Sequence, residues 1–148
     1  MNARALLVGI GSSHGDDRVG WEIASRVAEL ARGSIMVRCA RSPAQLLDWL
    51  DGIESLDVCD AVSSAASGSV YCWNWPAPEL AHTAFHTSHN LSLPAVLELA
   101  GVLGCLPRQV RIWGVGIETG RSLELLSPDA ASAASIVADR ICGTHGYA

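Results

Sequence analysis

The sequence predicts a three-layer α/β sandwich, a mostly parallel, twisted five-stranded sheet with one antiparallel strand and helices on both faces, in one domain over residues 1–148. Three observations carry this expectation. The apolar run Ala5 to Ile10 passes into a Gly-rich turn and then into a helical repeat, as a βα unit opens. Short apolar runs and helix-period segments then follow in the order β-α-β-α-β-β-α-β-α, the pattern of strands joined by helical crossovers. The composition, 49% hydrophobic and 17% charged, fits a large core beneath a lightly charged surface.

Each element follows from local pattern. Ala5 to Ile10 is the first strand, and Gly9, Gly11 and Gly15 loosen the turn after it. Val19, Ile23, Val27 and Leu30 recur at helical spacing, giving a helix from about Asp17 to Arg32 that ends before Gly33. Its other face carries Glu22, Arg26 and Glu29. Ser34 to Ala40 is a second strand, and Ser42-Pro43 starts a helix with Ala44, Leu47 and Leu50 on its apolar side. Ser55 to Asp60 is a third strand. Ser69 to Trp75 is a fourth, ended by Pro76-Ala77-Pro78, and its closeness to the third marks an antiparallel neighbour or a sheet edge.

Pro76 to Asn90 has no periodicity and holds His82, His86 and His89; an irregular stretch of this length in a compact domain is often functional. Leu93, Val96, Leu97, Ala100 and Leu103 make an amphipathic helix with Pro94 near its first turn and Gly104 at its close. Gln109 to Gly116 is the last strand. A final helix runs from about Asp129 to Ile141, capped by Ser127 with Pro128 at its first position.

The bulk properties exclude several functions. A net charge of −5 with no strongly basic stretch leaves no electrostatic footprint for nucleic acid. No apolar run approaches the roughly 20 residues that span a bilayer. Five scattered cysteines without a CxxC pair argue against a disulfide framework and for reduced thiols in a cytoplasmic protein. The N-terminus lacks the pattern of a cleaved signal peptide.

In an open α/β sheet, ligands sit beyond the carboxyl ends of strands. Asp16 and Asp17 follow the first strand, Asp60 closes the third, and His89 precedes the helix at Pro94. Two carboxylates and an imidazole form an oxygen/nitrogen donor set suited to a divalent metal such as nickel or zinc. Taken singly, each has a plainer reading: Asp16 or Asp17 as a helix cap, Asp60 as a turn-former, His89 as a hydrogen-bonded structural residue, and His14 as an exposed loop residue.

These residues resemble the endopeptidases that mature nickel-iron hydrogenases by removing a C-terminal extension from the large subunit, and the resemblance covers nearly the whole chain. It rests on Gly9-Ile10-Gly11 followed by Asp16-Asp17 and Gly20, on Asp60-Ala61-Val62, and on Ser88-His89 with Leu91 and Leu93-Pro94-Ala95-Val96-Leu97. Gly114-Val115-Gly116-Ile117-Glu118 is similar to the family's Gly-Ile-Glu close. The resemblance implies that Asp17, Asp60 and His89 are both the catalytic residues and the metal contacts. The nickel they meet is already installed in the large-subunit precursor, so their site is empty at rest. Two departures stand out: Ser12 replaces the family's usual Asn, and Arg41-Ser42-Pro43-Ala44-Gln45-Leu46-Leu47 stands where many members carry Gly-Thr-x-Gly in a loop linked to substrate selection.

Two other classes compete. A small-ligand or nucleotide-binding module could use Gly9-Ile10-Gly11 as a phosphate turn, but the third glycine of GxGxxG would be His14, and Asp16 and Asp17 would repel phosphate. A non-proteolytic assembly factor would bind the precursor without cutting it. Nucleophilic catalysis finds little support: Ser12 and Ser13 lack a Gly-x-Ser-x-Gly context, and each cysteine lies in or beside an apolar element.

Overall fold

The computed structural model describes residues 4–13, 15–63, 66–82, 85, 91–118 and 125–146. Five strands, β1 (Ala5–Ile10), β2 (Met36–Ala40), β3 (Ser55–Val62), β4 (Val70–Asn74) and β5 (Gln109–Gly116), form one sheet in the order β2-β1-β3-β5-β4. All neighbours are parallel except β4, which runs antiparallel along β5 at one edge. The mixed sheet is the expected one, although the antiparallel partner of β4 is β5 and not the preceding strand.

Helices cover both faces. α1 (Val19–Ala31) and α3 (Pro128–Thr144) pack on one, where Leu7, Cys59, Trp113 and Val115 meet Ile23, Val27, Val137 and Ile141. α2 (Leu93–Leu103) and a 3-10 helix at Pro43–Asp48 pack on the other, against Leu6, Val8, Leu56, Val58 and Ile112. β1 and β3 are buried along their whole length because each carries a helical layer on both sides.

Several boundaries differ from expectation for physical reasons. The segment after the first turn starts as a 3-10 helix, Gly15–Arg18, so Asp17 sits in that tighter coil and α1 begins only at Val19. Pro43–Asp48 is also 3-10: its three-residue period buries Pro43 and Leu46 and leaves Ala44 exposed, against the expected apolar side. Leu30 and Leu103, expected inward, are half-exposed or more; Ala24 and Ala31 fill the corresponding stripe of α1. α3 carries the anticipated cap, Ser127 accepting from the amide of Ala130, and Ser92 caps α2 in the same way through the amide of Ala95.

Candidate functional site

Close packing of main chain sets the site. α1 crosses β1 at Gly20 over Gly9: a Cβ on Gly9 would lie 2.1 Å from the Gly20 carbonyl oxygen, and one on Gly20 would lie 2.3 Å from that of Ile10 and 2.8 Å from that of Cys59. Only hydrogen fits at either position. The helix start is thereby held against the C-terminal ends of β1 and β3, with Asp17 on its leading turn. That turn is fixed in place, since Gly11 N donates to Ala40 O (3.0 Å) and Ser12 N to Asp17 O (3.2 Å).

β3 runs two residues beyond Asp60, so Asp60 is an interior strand residue and not the strand's last, as the sequence suggested. Its side chain is 1% exposed and its Oδ1 accepts the amide of Ala61 at 2.8 Å. Burial pushes its carboxyl well above the ordinary carboxylate range, and the charge of Asp17 pushes it further. Asp17 is also buried, at 8% exposure, and its Oδ1 has no hydrogen-bond partner among the described residues. A buried carboxylate oxygen without a donor costs more than an ordinary hydrogen bond is worth, so such an atom calls for a partner, whether water, cation or donor.

The wall beside this pair is aromatic. Asp60 pairs across β3–β5 with Gly114, which pairs in turn with Tyr71 on β4. The Trp73 indole lies over Gly114, where a Cβ would come within 2.9 Å of the ring and 2.7 Å of Val62. Tyr71 stacks on Trp73 at 5.5 Å, and Phe85, bridged to Val62, meets Trp73 edge-on at 6.4 Å.

The structure thus sets Asp17 and Asp60 within electrostatic reach of each other, whereas His89 lies outside the described residues, as do His14 and His86. Among the described residues no three His, Cys, Asp or Glu side chains gather into a metal site. The unpartnered Asp17 oxygen, with the Asp60 carboxyl within electrostatic reach, supplies oxygen donors of the kind a divalent cation takes. Asp16 takes the plainer role, though not at its own helix: its Oδ1 and Oδ2 accept the amide (2.7 Å) and hydroxyl (2.8 Å) of Ser127, tying the turn to the N-terminus of α3. That partner, distant in sequence, left no local signal. The aromatic wall was equally hidden, because Trp73 reaches the site only through the β4–β5 pairing.

No family model and no curated protein sequence matches the chain. Solved structures do. The hydrogenase maturating endopeptidase HybD from E. coli superposes with a TM-score of 0.76 at 20% identity, over 95% of this chain and 91% of that one. The [NiFe] hydrogenase maturation protease HybD from Thermococcus kodakarensis gives 0.73 at 17% identity, over 95% and 98%. A hydrogenase 2 maturation peptidase from a Thaumarchaeota archaeon gives 0.70 at 20% identity, over 98% and 99%. The chain therefore shares the fold of these proteins over nearly its full length.

Proposed function

We propose that this chain is an endopeptidase that removes the C-terminal extension of a nickel-iron hydrogenase large-subunit precursor after nickel insertion, with nickel on the precursor as the recognition element. The observation that supports this most is the buried, unpartnered Asp17 oxygen within electrostatic reach of a second buried acid, on a fold shared with maturation endopeptidases. Burial, and to a lesser extent the Asp17 charge, oppose ionisation of Asp60, and a divalent cation brought by the substrate would reverse that preference. Asp17 and Asp60, with His89 as the nitrogen donor, are the residues that would hold it.

On this reading the metal is cargo, and cleavage waits for it. Burial and the Asp17 charge favour the protonated Asp60 carboxyl, and a bound cation would favour the ionised form that can serve as a ligand. When bound, the metal supplies Lewis-acid polarisation of the scissile carbonyl, and one carboxylate takes the proton of the attacking water. The chain acts in the cytoplasm on this reading. No helix among the described residues is long and apolar enough to cross a membrane.

Mass spectrometry of a nickel-loaded large-subunit precursor, incubated with and without this protein, tests the proposal. Loss of a defined C-terminal segment is expected only with both present. Stable co-purification of an uncut precursor would make the chain an assembly factor instead. Asp17→Ala and His89→Ala each abolish processing with an unchanged circular dichroism spectrum, and full activity in either variant would remove that residue from the site.

A further inference from the structure

β2 ends the sheet, and among the described residues it pairs only with β1. Met36, Arg38 and Cys39 are exposed along it, and its register with β1 is continuous over five residues, without a bulge or proline. Such an edge presents unpaired N–H and C=O groups to any extended chain that fits.

Two guanidinium groups flank the edge. Arg38 lies over the Trp49 ring at 5.3 Å, on the face packed by the Pro43–Asp48 helix, and Arg41, just past the strand, lies over Trp21 of α1 at 5.8 Å, on the opposite face. Neither has an ion pair among the described residues. The indole Nε1 of Trp21 donates to Ala40 O at 3.0 Å, so the platform under Arg41 is anchored to the last residue of β2 itself. In a chain of net charge −5, both faces of its open edge are thus dressed with stacked, unneutralised arginine.

We propose that an extended, acidic segment of the precursor docks along β2 as a sixth strand, with its carboxylates on Arg38 and Arg41; the source of the segment rests on the processing reading above. Ala40 accepts from Gly11 as well as Trp21, so the C-terminal end of β2 adjoins the turn that carries Asp17. A strand laid on β2 therefore runs toward the turn that carries Asp17. A second copy of this chain fits poorly: Arg38 is the central residue of Met36–Ala40, and symmetric antiparallel pairing would set it opposite its own copy.

The test uses the full chain and a capped six-residue peptide with Glu at its second and fifth positions and Val elsewhere, so that one carboxylate faces each side of the sheet, a Lys-for-Glu counterpart, and a form N-methylated at alternate backbone positions. Tryptophan fluorescence reads binding, and hydrogen exchange reads the β2 amides. The Glu peptide should bind and slow exchange in β2, Arg38→Gln with Arg41→Gln should weaken it about tenfold, and lysine at both positions should restore part of that loss. The Lys and N-methyl peptides should not bind. Equal binding of the Glu and Lys peptides, no binding of the Glu peptide, unchanged β2 exchange, or a dimer whose β2 amides are already protected would each overturn the proposal.

With the nickel-loaded precursor, the double Gln variant should raise KM about tenfold at constant kcat. If wild type processes the precursor and the variant does so with unchanged KM, the docking strip fails and the peptidase reading stands. If wild type cuts nothing while the Glu peptide still protects β2, the peptidase reading fails and the strip stands.

Discussion

Asp57 and Asp60 stand three residues apart on β3, both fully buried, on opposite faces of the sheet, and their surroundings drive them in opposite directions. Asp57 accepts from Arg111 Nε (2.9 Å), Trp113 Nε1 (2.9 Å) and His145 Nε2 (2.8 Å), with Arg111 Nη2 at 3.4 Å. Since His145 Nε2 carries the hydrogen given to Asp57, its 3.2 Å approach to Arg111 Nη2 is packing and not a second hydrogen bond. Burial alone would push the Asp57 carboxyl up, yet the bonds from His145, Arg111 and Trp113 and the guanidinium charge hold it below the usual carboxylate range. Asp60 has one amide from its neighbour, and burial together with the charge of Asp17 pushes its carboxyl well up. A buried acid supplied with donors on every side stabilises the fold; one deprived of them is left open to a ligand.

The comparison can be broken first at Asp57. Asp57→Asn leaves the Arg111 guanidinium without its counter-charge and should cost about 3–5 kcal/mol in urea unfolding at neutral pH. The folded-state carboxyl of Asp57 is depressed, so its contribution is present above the unfolded value of about 4 and is lost as pH falls through the folded one. The gap between wild type and variant should therefore close in acid. A gap independent of pH would show that the network's worth is packing and not charge.

Next is Asp16→Ala, which removes both bonds to Ser127 and should cost about 2 kcal/mol, read from the thermal midpoint. Asp60→Asn should act in the opposite sense. Because the Asp60 carboxyl is raised in the fold, its ionisation opposes folding as pH climbs above the unfolded value; the variant should be more stable by about 1 kcal/mol at neutral pH and lose that advantage below about pH 4. The smallest effect belongs to Asp17→Asn, which should lower the Asp60 carboxyl without returning it to the ordinary range, since burial is the larger cause. The carboxyl stretch followed by infrared titration would show it, and no change at all would mean that the two acids do not sense each other.

The reading of the sequence succeeded where one physical rule governed a segment. Ala5–Ile10 and Gln109–Gly116 are found at their expected bounds because strands buried on both faces read as apolar runs. Ser127-Pro128 marks its helix start because cap and proline chemistry is local. Failure came where two rules competed. β3 continues to Val62 because its register with β5 pays for carrying an acid inside the sheet, whereas the sequence shows an acid and suggests an end. In the sequence Asp57 is merely an acid between Leu56 and Val58; Arg111 and His145, its donors, are 54 and 88 residues away, and no local pattern announces such a meeting. The Asp17 and Asp60 positions were legible from the rule for strand ends in open sheets, but their unequal partnering was not.

At the crossing of Gly20 over Gly9, main chain bears directly on main chain, with no side chain interposed as a spacer. The gap between helix start and sheet is then a fixed gauge, immune to ordinary drift in the hydrophobic interior. Side chains elsewhere in the molecule can be exchanged for others of similar bulk without altering the span between Asp17 and Asp60, while one added methyl at the crossing would prise it open.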